Sequence, residues 1–139
     1  MILGKNRKML AVAKSVAHLS DVKQYKVGAV IANGKDILSV AHNKEKSHPL
    51  QKKYNQHRGE KAEEWSYLHA EVAAILKVRN KKLLKGSTIY VGRTFKSGHN
   101  AIARPCPACM QAIIDHGIKE IVYTTDDGLA VEVVILDDK

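Results

Sequence analysis

Two short motifs constrain this chain more than any other feature: His69-Ala70-Glu71, and Pro105-Cys106-Pro107-Ala108-Cys109. The two cysteines are the only two in 139 residues, and they stand three positions apart. A disulfide between them would staple almost no chain, and Cys-x-x-Cys in a cytosolic chain reads as a metal or redox pair. The redox reading needs no histidine or glutamate elsewhere. The zinc reading needs both, and His69 and Glu71 supply them. Three protein ligands and one open position make a catalytic zinc site, whereas four closed ligands make a structural one. Any fold for this chain must therefore bring His69 to Cys106 and Cys109.

The segments around the motifs show how that can happen. Lys5 to Leu19 places Met9, Leu10, Ala13, Val16 and Ala17 near helical spacing. Tyr25 to Ala32 reads as a strand, Asn33-Gly34 as a hairpin turn, and Asp36 to Ala41 as the returning strand. His42 to Glu64 is polar and too long for a simple connection, so it is either functional or partly helical. Trp65 to Arg79 carries the stripe Leu68, Val72, Ile75 and Leu76 and reads as a helix. Thr88 to Gly92 is a third strand, and Arg93 to Arg104 a second polar loop. Cys106 to His116 is a helix with Gly117 past its end and prolines at its start. Lys119 to Thr125 and Leu129 to Leu136 are the last two strands.

The order α-β-β-α-β-α-β-β predicts one α/β domain over residues 1–139, a five-stranded mixed sheet with helices on both faces. Asp126-Asp127-Gly128 is too short for a helical crossover, so strands four and five pair antiparallel. If the two motif helices lie side by side, their first turns converge on one ion. Cys106 and Cys109 then face the same way, and the positive helix end favours thiolate.

Composition adds limits. A formal charge of +9 favours an anionic partner, nucleotide or nucleic acid, although a lysine-rich surface also serves solubility. No apolar run is long enough to span a membrane, and the first residues lack a secretory apolar region, which predicts a cytoplasmic protein without membrane association.

Zinc lowers the pKa of a bound water to about 7, and Glu71 is placed to move protons beside it. His-x-Glu with Pro-Cys-x-x-Cys marks the zinc nucleobase deaminases. The chain resembles the cytidine deaminase-like superfamily: cytidine and deoxycytidylate deaminases, tRNA adenosine deaminases, APOBEC-type editors and bacterial deaminase toxins. The resemblance covers most of the chain. It implies a three-layer cytidine deaminase-like fold with His69, Cys106 and Cys109 holding Zn2+. It implies that Glu71 activates water, protonates the ring nitrogen and helps release ammonia. The backbone at Ala70 would contact the base, and the small first strand, Val27 and Ala29 included, would let the base approach the sheet. Asn43 would bond the ribose. Asn43-Lys44-Glu45 echoes the Asn-x-Glu that grips sugar hydroxyls, which brings in Glu45. Oligomers are common in the superfamily, and a homo-oligomer is expected here.

The antiparallel fifth strand resembles the cytidine deaminase and toxin branch, and so favours cytosine over adenine; this is an analogy of topology. Typical free-nucleoside deaminases carry Cys where this chain has His69, although some carry His, and the loop from Arg93 to Arg104 departs from every branch, so the residues assign no named subfamily; a phage- or virus-type nucleotide deaminase is one candidate. Three readings stay open. One is deamination of a free pyrimidine nucleoside or nucleotide such as dCMP. The second is cytosine, or less readily adenine, deamination in single-stranded DNA or RNA, for which the basic loops and Tyr54, Trp65, Tyr67 and Phe95 would serve as track and platforms; the same loops, Arg93 and Arg104 among their residues, are expected to ring the pocket and fit the phosphate of a free nucleotide equally. The third is a non-catalytic zinc module that binds nucleic acid, with His42, His48, His57 and His99 as further ligands; Glu71 argues against it.

Overall fold

The computed structural model describes residues 2–23, 25–58, 67–94 and 100–134. Helix α1 (Ile2–Ala17) leads into the hairpin β1 (Val27–Asn33) and β2 (Asp36–His42). Then come α2 (Pro49–Asn55), α3 (Ala70–Lys77), β3 (Thr88–Arg93), α4 (Pro107–Asp115), β4 (Glu120–Thr125) and β5 (Gly128–Val133). Short 3-10 turns cover Gln56–Arg58 and Lys81–Leu84.

The five strands form one mixed sheet in the order β2-β1-β3-β4-β5. Only β3 and β4 run parallel, with α4 as their crossover; β4 and β5 are antiparallel, as the short turn at 126–128 requires. Gly34 adopts φ 62° in the β1–β2 turn, a conformation that the Asn-Gly signal anticipates.

Side-chain alternation sorts the strands into two faces. Val27, Ala29, Ile31, Ile89, Val91, Ile121 and Tyr123 pack under α3 and α4. Val30, Ala32, Tyr90 and Val122 pack under Met9, Leu10 and Ala13 of α1. The architecture is thus three layers, with α1 on one face and α3 and α4 on the other. Two glycines of the sheet, Gly28 and Gly92, lie against α1. A Cβ on Gly28 would lie 1.9 Å from the Ala13 carbonyl oxygen. Its register partner Gly92 is close-packed to a lesser degree, with Lys14 atoms at 3.0 Å. Smallness at Gly28 therefore seats α1.

Several boundaries differ from the expectations. The helix expected over 65–79 begins at Ala70, because Leu68 is taken by a backbone pair with Lys44 and His69 is extended, at φ −72° and ψ 150°. Residues 59–66, Trp65 among them, lie outside the described set, as do 95–99 with Phe95 and His99. The polar stretch after β2 contains α2, so it is partly helical. Strand β5 ends at Val133, short of Leu136, and 135–139 are not described. No described helix is long and apolar enough to cross a membrane.

Candidate active site

The two motifs meet at the N-termini of α3 and α4. His69 is the cap residue of α3, and Cys106 is the cap residue of α4, at φ −68° and ψ 168°. Neither side chain caps its own helix. Cys109 lies one turn into α4, buried. Both thiols point at one nitrogen: His69 Nδ1 is 3.2 Å from Cys109 Sγ and 3.5 Å from Cys106 Sγ. The three donor atoms all lie within 4.8 Å of one another. A tetrahedral zinc with ordinary bond lengths would set N···S near roughly 3.5 Å and S···S near roughly 3.8 Å. One imidazole and two thiols at this spacing fit a zinc ion.

The two thiols divide the charge between them. Cys106 is held down to about 3, first by the hydrogen bond from Cys109 and then, against its burial, by His69. Burial pushes Cys109 well above the ordinary thiol value. A thiolate therefore stands ready at Cys106, and a cation must displace the proton of Cys109.

Glu71 is buried, on the first turn of α3. Burial raises its carboxyl above the ordinary value, opposed by His69. A raised carboxyl next to a metal cluster suits a group that must both take and give a proton.

Of these residues, His69, Glu71 and Cys106 open onto a cleft of about 440 Å³, lined also by Val22, Tyr25, Val27, Asn43, Tyr67, Ala70, Ala103 and Arg104, while Cys109 is fully buried. The volume lies within the usual range for a small-molecule site. The expected substrate contacts divide here. Val27, Asn43 and Ala70 line the cleft. Ala29 is fully buried one pair of residues further along β1, in the core under α3 and α4. Glu45 is exposed, outside the lining, with its N–H on Asp21 Oδ1 at 2.9 Å. Asn43 ties the two hairpin strands together: Oδ1 accepts from Val27 N at 3.0 Å, and Nδ2 donates to Tyr25 O at 2.5 Å. That leaves one amide hydrogen and one lone pair for another partner.

Three lining residues were not among the expected contacts: Val22, Tyr25 and Ala103. Val22 and Ala103 carry no local signal. Tyr25 is an aromatic just ahead of β1, with the Arg93 guanidinium 3.8 Å from its ring centroid. Arg104, at the end of the second basic loop, lines the cleft as that loop's expected place beside the pocket requires. It forms a two-pronged pair with Glu132 of β5, Nε to Oε2 at 2.8 Å and Nη2 to Oε1 at 3.1 Å.

Residues 4–125 match the family described as the cytidine and deoxycytidylate deaminase zinc-binding region. The chain belongs to that family. Within it, 64 residues are 41% identical to the deoxycytidylate deaminase of Enterobacteria phage T2, covering 43% of this chain and 29% of that protein. The chain thus spans under a third of the length of the curated relative it matches. The dCMP deaminase of cyanophage S-TIM5 superposes with a TM-score of 0.63 at 21% identity, over 90% of this chain and 86% of that one. The cytidine deaminase of Burkholderia pseudomallei superposes at 0.62 with 20% identity, over 91% and 90%. Both share the fold, and they fit about equally well, so the backbone does not choose between nucleoside and nucleotide.

Proposed function

We propose that this chain is a zinc-dependent hydrolytic deaminase that converts cytosine to uracil in a free (deoxy)cytidine nucleoside or nucleotide, with dCMP favoured. The observation that carries the reading is the buried Glu71 carboxyl beside the His69, Cys106 and Cys109 donors, with Glu71, His69 and Cys106 lining one cleft and Cys109 buried behind them. His69 through Nδ1, Cys106 and Cys109 hold zinc. The ion supplies a Lewis acid that makes water nucleophilic near neutral pH.

The chain's own groups do the rest. The cleft wall of Val27 and Ala70 receives the base, with the Ala70 backbone against its edge. Asn43, fixed by its two backbone bonds, offers its remaining amide hydrogen or lone pair to the sugar. Glu71 takes a proton from the attacking water and delivers it to the ring nitrogen. It then takes the remaining proton of the added hydroxyl, which becomes the carbonyl, and passes it to the departing amine. An oxygen–carbon bond forms, the carbon–nitrogen bond breaks, and ammonia leaves.

The nucleotide preference is supported by two observations. The matched phage relatives are deoxycytidylate deaminases, and one solved S-TIM5 complex is described as containing dCMP and dUMP. Arg104 also lines the cleft, and a guanidinium suits a phosphate. A second reading, action on single-stranded nucleic acid, draws on Tyr25 and Tyr67, 47% and 42% exposed at the cleft as stacking surfaces. The cytoplasmic setting belongs to this proposal, and so does assembly into a homo-oligomer, to which the exposed Val131 and Val133 on the outer strand β5 lend support.

Ammonia release from the zinc-loaded protein tests these readings. Cytidine, deoxycytidine, dCMP, dCTP and a cytosine-containing single strand are offered at matched concentration. Glu71→Ala should keep its zinc and lose about 10²–10⁴-fold in turnover; turnover at the wild-type rate would end the mechanism. Turnover of dCMP over deoxycytidine supports the nucleotide reading. Turnover of the strand alone would replace it.

A further inference from the structure

The zinc donor His69 has an unusual duty for a helix cap. Its ring faces two sulfurs, so it cannot cap α3, and its position depends on how its backbone is held. One side is fixed by the paired amides of Leu68 and Lys44, both bonds at 2.9 Å. The His69 N–H itself is bonded to a side chain: Gln51 Oε1 accepts it at 3.0 Å.

Gln51 is fully buried on α2, a helix inside the polar stretch after β2. A buried amide at a position where a Leu or Met would pack calls for an explanation. Its own orientation is set, because Nε2 donates to Asn55 Oδ1 at 2.8 Å, one turn along α2. The helix is anchored at both ends. His48 caps it, with Nδ1 accepting from Leu50 N at 3.0 Å. Tyr54 donates its hydroxyl to Asp115 Oδ2 on α4 at 2.9 Å. So α2 touches the helix that carries the cysteines and also holds the residue that carries the imidazole.

We propose that Gln51 is a positioning residue for the metal centre: its Oε1 fixes the His69 backbone so that Nδ1 meets Cys106 and Cys109. The inference rests on the assignment of His69, Cys106 and Cys109 as the zinc ligands. Partners one bond beyond a metal ligand change metal affinity by about 10–100-fold when removed.

Chelator competition with Zn2+ and the visible absorption of the Co2+-loaded protein test it, without reference to turnover. Gln51→Met keeps the volume and removes the acceptor. Gln51→Glu keeps an acceptor oxygen at the same reach. Tyr54→Phe loosens α2 from α4 and leaves the His69 bond in place. Cys106→Ala removes a ligand. Zinc affinity should fall about 10–100-fold in Gln51→Met, with a changed cobalt spectrum. It should return to within about threefold of wild type in Gln51→Glu, and Tyr54→Phe should leave both readouts unmoved. Wild-type affinity in Gln51→Met would overturn the proposal. So would equal losses in Gln51→Met and Tyr54→Phe, or a Gln51→Glu variant as weak as Gln51→Met. If Gln51→Met does not fold, the other two variants decide: a Gln51→Glu affinity about tenfold or more below wild type, or a comparable loss in Tyr54→Phe, would overturn the proposal. If Cys106→Ala binds zinc as tightly as wild type, the ligand assignment fails instead, and the two failures are told apart.

Discussion

The α1 face of the sheet and the α3/α4 face are built from different side chains. Under α1, Met9, Leu10, Ala13, Val30, Tyr90 and Val122 form an apolar layer, and helix and sheet close to backbone contact at Gly28 and Gly92. Under α3 and α4 the layer is larger, yet Glu71, Gln51 and Asn55 are buried among or beside its residues. Burying polar groups costs free energy unless each is bonded. They sit together at the end of the sheet where two helix N-termini converge, and there Gln51 and Asn55 bond each other. One face supplies rigidity from close packing, and the other spends part of that stability on groups that can move protons and hold a cation.

The comparison breaks first at Gly28. Gly28→Val puts a branched side chain into the Ala13 carbonyl and should cost about 3 kcal/mol or more, at or above the usual range for overpacking. Urea unfolding reads it, and the folded fraction should still bind zinc, because the damage lies on the far face. A variant as stable as wild type would mean that α1 is not seated as described.

On the other face, Arg104→Ala should spare stability and act on substrate choice. Losing one charge-assisted contact is worth about 1.5–3 kcal/mol, so kcat/KM for dCMP should fall about 10–100-fold. The value for deoxycytidine should hold. Equal losses for both substrates would make Arg104 part of the cleft's framework, with no role in reading a phosphate.

The smallest effect belongs to Glu132. Hydrogen bonds from Arg104 and Tyr123 hold its carboxyl below the ordinary value of 4.5. A lowered folded value means that the pair's contribution is present above that value and is lost as pH falls through the lower, folded one. The side chains are 53% and 35% exposed. Solvent screening therefore limits the contribution to below about 1 kcal/mol. Glu132→Gln should flatten the acid limb of a stability–pH curve slightly. It should also free Arg104 and lower KM for dCMP; a raised KM would show that Glu132 is needed to aim the guanidinium.

Part of this architecture is legible in the sequence. The hairpin at Asn33-Gly34, the antiparallel β4–β5 pair and the helix behind Pro105 and Pro107 follow from local chemistry, where turn residues and prolines act on their own neighbours. His69, Glu71, Cys106 and Cys109 stood out because a metal cluster with a nearby acid needs those residue types at those short spacings. The start of α3 was misplaced because the apolar stripe runs through Leu68, whereas the Lys44 pairing, 24 positions away, pulls Leu68 out of the helix.

Sequence by itself determined the donor types, their spacing and the order of elements, all of which depend on residues a few positions apart. Tertiary structure alone decided the rest. It turned the small residues of β1 toward two different tasks, Gly28 to α1 and Ala29 to the core. It left Glu45 outside the cleft and brought Tyr25 into it. It also placed Gln51 against the His69 amide, 18 positions along the chain. A single buried hydrogen bond between distant segments leaves no period and no motif, because it depends on where two elements dock and not on what either would do alone.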